Sequence, residues 1–285
     1  MALGKLKHRI RTTAQRFGVD LRRVVPDDTA LYDRLYPHGR FYNVGAGSFF
    51  HPRWINLDYV SDWYRDDQKN VIHCDLMSDD PLPIPDASAD VIYTSHTIEH
   101  VKDDAVDRLF RESYRALKPG GFLRVTTGPD ADTDFAAMQR SDEDWFYWDK
   151  AYDRPGTFET MLHAPATSVP LEERWLHHVA TMLAPNDLSP SVHKFDAVEI
   201  RRIIAEKGKI GALDYFTGLT EWRGDRPGNH VSWWSHDKIA AFMRNAGFAE
   251  PYRSGYGQSA CAPLRNTLYF DNTHPQMSVY VEAVR

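Results

Sequence analysis

The run Asn43-Val44-Gly45-Ala46-Gly47 sets two glycines one residue apart. Glycine has no Cβ, so the chain can turn sharply there and bring bare backbone close to a ligand. Glycines so spaced also occur in ordinary bends, and the residues that follow carry the reading. Asp58 lies near the end of the next apolar run, where a carboxylate accepts hydrogen bonds from ribose hydroxyls. Asp75-Leu76 follows a third run; its acid suits the amino group of an adenine and its leucine the ring face. Ser95 and His96 end a fourth run, at the strand ends where open parallel sheets bind ligands. The gap from the glycine turn to Asp58 is shorter than in a nicotinamide-binding unit. No third glycine follows either, because the row continues Ser48-Phe49-Phe50. The chain also lacks a GxxxxGK[ST] phosphate cradle, so dehydrogenase and P-loop readings have no support.

These residues need a scaffold that delivers successive strand ends to one place. Residues 39–130 alternate short apolar runs with helical stretches, the pattern of a doubly wound, mostly parallel α/β sheet with a Rossmann-like course. Strands are expected at 40–44, 54–59, 70–74, 89–95 and 121–127. A helix over 103–117 has Val106, Leu109, Phe110, Tyr114 and Leu117 at helical spacing, and Lys118-Pro119-Gly120-Gly121 stops it. Residues 131–234 are richer in aromatics and histidine and read as a helical cap or insertion that holds the acceptor, with helices at 171–182 and 195–208. The second of these has Asp196 near its start and Gly208 at its end. Residues 235–285 return to the core through a helix at 235–246 and a late strand at 278–284. Residues 1–38 form an N-terminal helical segment, and the first 23 residues read as a short basic amphipathic helix that docks to a membrane or partner or packs on its own domain.

The chain has 285 residues and a formal net charge of −6, without the clustered basic surface that phosphate neutralisation requires, so a nucleic-acid partner is not expected. Cys74 and Cys261 fit no metal or redox spacing. No apolar run reaches transmembrane length and the N-terminus lacks a signal-peptide core, which makes the cytoplasm the expected location. A homo-oligomer is left open.

Six ordered segments together resemble class I S-adenosylmethionine-dependent methyltransferases of the type 11 group: Asn43-Val44-Gly45-Ala46-Gly47-Ser48, Trp54-Ile55-Asn56-Leu57-Asp58, Leu82-Pro83-Ile84-Pro85-Asp86, Ala89-Asp90-Val91-Ile92-Tyr93, Ser95-His96-Thr97-Ile98-Glu99-His100 and Leu117-Lys118-Pro119-Gly120-Gly121. The resemblance implies S-adenosylmethionine as cofactor. Gly45 and Gly47, with Ala46 between them, would approach its methionine and ribose, Asp58 the ribose hydroxyls, and Asp75 with Leu76 the adenine. Ser95 and His96 would border the methionine and the reacting methyl. Asn43 stands where many members carry an acid near the methionine amino group. The C-terminal part, with Trp233-Trp234 and residues 255–259 and 270–275, resembles bacterial members associated with surface-polysaccharide gene clusters. The acceptor implied is a sugar hydroxyl of a glycan or sugar-containing metabolite. Another small metabolite, methylated at N or O, and a non-catalytic binding subunit are the alternatives.

Methyl transfer from a sulfonium is an in-line displacement, and a hydroxyl acceptor must also lose its proton. The candidate acids and bases are His96, Glu99, His100 and Asp130 in the core, with His177, His178, His230 and Trp233 from the cap as acceptor-binding candidates. Each has a structural alternative. Glu99 and His100 can fix the start of the next helix, Asp130 can cap a turn, and His177, His178, His230 and Trp233 can be packed. His96-Thr97-Ile98-Glu99-His100 matches an HxxEH zinc pattern, but that pattern needs both histidines on one helix face and His96 ends a strand. No metal is therefore expected.

Overall fold

The computed structural model describes residues 28–60, 71–153, 161–189 and 192–285. The expected basic helix in the first 23 residues lies outside the described residues. At the centre is a seven-stranded sheet: β1 Phe41–Val44, β2 Trp54–Asp58, β3 Val71–His73, β4 Ala89–Ser95, β5 Leu117–Thr127, β6 Tyr252–Arg253 and β7 Val279–Val284. The order across it is β3-β2-β1-β4-β5-β7-β6. β1 to β5 pair in parallel, while β7 lies antiparallel to both β5 and β6. This is the doubly wound α/β architecture expected.

All four residues of β1 are buried, as a parallel strand covered on both faces requires. The helix Asp103–Ala116 buries Ala105, Val106, Leu109, Phe110, Ser113 and Ala116 along one side, and Asp103 and Asp104 sit in its first turn, where the helix dipole favours negative charge. It packs against the sheet with Leu123, Val125, Val281 and the helix His236–Asn245 in one apolar cluster. A second cluster joins Phe146, Trp175, Leu176, Ile200, Phe216 and Trp233 in the region read as a cap.

Several element bounds differ from the expected ones. β5 begins at Leu117 because Leu117 pairs with Ala89 before a register shift, so strand pairing rather than coil follows the helix. The helix Leu171–Val179 ends early, and a 3₁₀ turn Thr181–Leu183 continues it. Gly208 does end the helix that Asp196 starts: its backbone is non-helical at φ 68°, and a second helix continues beyond that kink to Gly218. The first helix starts in a full capping box, in which Asp196 accepts from the Val198 and Glu199 backbone and the Glu199 side chain accepts from the Asp196 N–H.

Candidate functional site

The sheet order reverses between β1 and β4, whose following connections leave in opposite directions, and such a switch point opens a crevice at the carboxyl ends of the strands. A cavity of about 580 Å³ lies there. Asn43, Gly45, Ala46 and Gly47 line it after β1, Asp58 at the end of β2, Asp75 and Leu76 after β3, and Ser95 and His96 at the end of β4. Every residue read from the sequence as a cofactor contact borders this one space.

Its floor is fixed by backbone geometry. The Gly45 and Ala46 N–H groups donate to the Leu57 carbonyl at 2.8 and 3.3 Å, which ties the turn to β2. Gly45 has φ 71°, and a Cβ there would lie 2.1 Å from Thr97 Oγ1, so no other residue fits. The Asp58 carboxylate accepts from the Gly47 N–H at 2.6 Å and from the Tyr59 N–H at 2.7 Å. Asp75 Oδ1 accepts from the Met77 N–H at 2.9 Å, which holds that acid at the mouth of β3.

Asn43 is the one departure from the resemblance. It is 3% exposed and lines the cavity, and its Oδ1 has no hydrogen-bond partner. A buried acceptor without a donor costs about 1–3 kcal/mol. A donor group in the cavity would satisfy it.

The acid–base candidates separate. His96 sits at φ 50° beyond β4, with Nε2 2.8 Å from Ser278 Oγ and Nδ1 3.1 Å from Glu99 Oε1. The latter approach is a charge contact rather than an aligned hydrogen bond, since Oε1 has no hydrogen-bond partner. Protein therefore occupies both sides of the His96 ring. Glu99 is buried and does not line the cavity; its Oε2 accepts from Thr127 Oγ1 at 2.7 Å. Burial raises its pKa, but His96, then His100 and His230, outweigh this and hold it at about 2. His100 borders the cavity, and its Nδ1 lies 3.2 Å from the Asn229 carbonyl. A carbonyl only accepts, so Nδ1 carries a proton, and in the neutral ring the lone pair is then on Nε2. Asp130 lies apart from the cavity. It caps the helix Ala131–Gln139 by accepting from the Asp132 N–H, and pairs with Arg253 at 3.5 Å.

The cap candidates do not line the cavity either. His178 is clasped between Asp134 and Asp149, each at 3.0 Å, with Phe146 stacked on its ring. Burial would lower its pKa, yet the two carboxylates push it to about 10, so it is a charged internal tie. Burial likewise pushes His177 down. Trp233 belongs to the second apolar cluster, and its indole N–H donates to Asp214 at 2.8 Å. His230 instead meets His100, with ring centroids 4.9 Å apart. Burial, then His100, pushes its pKa down to about 3, which leaves it neutral.

Residues not anticipated from the sequence complete the cavity: Tyr59, Trp222, Leu268, Tyr269, Asn272 and Thr273 among them. Ser278, which positions His96, is another. Only the 270–275 segment had drawn notice, through a resemblance rather than a chemical signal.

Residues 55–125 match the family described as a methyltransferase domain. That stretch contains most of β2, all of β3 and β4 and most of β5, and with them Asp58, Asp75, Ser95 and His96. A curated protein of Mycolicibacterium smegmatis, named as a probable S-adenosylmethionine-dependent methyltransferase, is 45% identical over a 58-residue alignment that covers 18% of this chain. The chain spans about a fifth of that relative's length, 22%. Among solved structures, an S-adenosylmethionine-dependent methyltransferase from Mesorhizobium loti is 18% identical, with 90% of this chain and 96% of that chain covered and a TM-score of 0.39. Another, from Thermotoga maritima, is 16% identical, with 88% and 84% covered and a TM-score of 0.37. No helix among the described residues is long and apolar enough to cross a membrane.

Proposed function

We propose that the chain is an S-adenosylmethionine-dependent O-methyltransferase acting on a sugar hydroxyl of a glycan or sugar-containing metabolite. The carrying observation is the single cavity that collects the Asn43–Gly47 turn, Asp58, Asp75 and His96 from four successive strand ends. The methyltransferase-domain match over residues 55–125 supports the methyl-transfer part of this reading. Asn43 Oδ1 takes the methionine ammonium, Asp58 the ribose hydroxyls, and Asp75 with Leu76 the adenine. Gly45 and Gly47 let the backbone come close. The cofactor supplies an electrophilic methyl on a sulfonium, and the protein aligns an acceptor oxygen with it and excludes water. His100, with its lone pair on Nε2, takes the acceptor proton as the oxygen attacks, and His96, braced by Ser278 and Glu99, borders the reacting end. Trp222 and Tyr269 offer rings for the apolar faces of a sugar, and Asn272 and Thr273 offer polar groups for its hydroxyls.

The acceptor class is tested by supplying methyl-labelled cofactor with panels of glycans and nucleotide sugars, and with small amines and phenols in parallel. Label is expected in the sugar panel, at a hydroxyl. Product only from amines or phenols would replace the sugar by another small metabolite. No transfer to any panel despite cofactor binding would favour a non-catalytic binding subunit.

A further inference from the structure

Glu99, His100 and His230 bring one ligand atom each to within 4.8 Å of one another, and among the described residues this is the one such group of three. Two of these residues belong to the HxxEH run, which was set aside as a metal motif because His96 does not share a helix with His100. The fold supplies the missing partner from elsewhere: the His230 N–H donates to Thr181 Oγ1, and the Val231 N–H donates to the Glu99 carbonyl at 2.9 Å, which docks the segment beside the motif.

The protonation pattern is that of ligands rather than of a packed histidine pair. His100 Nδ1 donates to the Asn229 carbonyl and His230 Nδ1 to the His178 carbonyl, at 3.2 and 2.5 Å. Metal-binding histidines are oriented in the same way, by a backbone carbonyl on the nitrogen that does not bind. In the neutral rings both Nε2 atoms then carry the lone pairs. Glu99 Oε1 is buried and has no hydrogen bond, while Oε2 is held by Thr127. One ligand atom from each of the three residues therefore lies close to the other two, and the His96 ring also approaches Glu99 Oε1, its Nδ1 making a charge contact with it at 3.1 Å. Ligand atoms about 2.0–2.2 Å from a shared ion lie at most about 4.4 Å apart, so the group closes on an ion with side-chain shifts of a fraction of an ångström.

We propose that Glu99, His100 and His230 bind a divalent transition-metal ion, a two-histidine, one-carboxylate set that leaves coordination positions open. Because His100 lines the large cavity, the open positions lie on its side. There the ion holds an acceptor oxygen and acidifies its hydroxyl, taking over that task from the free His100 imidazole. This role rests on the methyl-transfer reading; the ion site itself does not.

The test uses the full chain, stripped with chelator and titrated with Co²⁺ alone, followed by calorimetry and by visible absorption of the bound ion. S-adenosylmethionine is titrated into the same samples. One equivalent of Co²⁺ is expected. Glu99→Gln and His230→Gln should each weaken its binding by at least the roughly 10–100-fold that loss of a ligand's supporting hydrogen bond alone costs. Their thermal melts and S-adenosylmethionine titrations report whether they fold. Absence of Co²⁺ uptake by a chain that binds S-adenosylmethionine would overturn the ion site and leave the methyl-transfer reading standing. Co²⁺ uptake without S-adenosylmethionine binding would do the reverse. Unchanged Co²⁺ affinity in both folded variants would also overturn the site.

Discussion

Replacing Asp58 by alanine is expected to weaken S-adenosylmethionine binding roughly 100-fold, the ~3 kcal/mol that charge-assisted hydrogen bonds to a carboxylate supply. Two effects combine. The ribose loses its acceptor, and the turn loses the 2.6 Å bond from the Gly47 N–H that fixes the loop under the ligand. Asp58→Asn keeps one acceptor oxygen and should lose less. Calorimetric titration of the two variants against the unaltered protein checks both the size and the order of the losses. An unchanged affinity in Asp58→Ala would remove the ribose assignment.

Arg124→Met is expected to be the most destabilising single change on the sheet. Arg124 sits in β5 with no exposed surface, and its guanidinium reaches Asp271 at 2.5 Å and Glu282 at 2.8 Å, both equally inaccessible. It also donates to Ser254 Oγ and the Gly255 carbonyl. Removing one side of a buried ion pair leaves the other uncompensated, at a cost of about 3–5 kcal/mol. Here two carboxylates would be stranded, and that cost is a large share of the roughly 5–15 kcal/mol by which a domain is stable. Denaturant unfolding should show the free energy of unfolding falling by that amount, and a loss under about 1 kcal/mol would mean that the network contributes little. The change should also loosen the cavity rim. Asp271 is pinned by Arg124 and by Tyr93 Oη, which accepts from its N–H at 2.9 Å, and the neighbouring Asn272 and Thr273 line the cavity.

These two predictions draw on parts of the molecule that were unequally visible in the sequence. The cavity floor was legible because each of its residues follows an apolar run directly. Asn43, Asp58, Asp75 and His96 end consecutive strands, and in a parallel sheet consecutive strand ends face the same side. The rim was not. Trp222, Tyr269 and Thr273 come from irregular segments whose position depends on long-range packing, so no local period marks them. Arg124 reads in sequence as one polar residue in an alternating strand, and its partners lie 147 and 158 residues away. The histidines show the same limit. His178 and His230 were both assigned to the acceptor side on residue type alone. Only the fold shows that one is locked between Asp134 and Asp149 while the other faces His100. Asn43 ran the other way: it looked like a defect beside the glycine turn, and the fold leaves its buried oxygen without a hydrogen-bond partner at the cavity wall.

Titration of the unaltered chain with S-adenosylmethionine tests the central claim most directly. A saturable isotherm with one equivalent bound is predicted, as the single cavity at the ends of β1 to β4 requires. A flat isotherm at protein and ligand concentrations that detect millimolar binding would contradict the cofactor site and every step of chemistry derived from it.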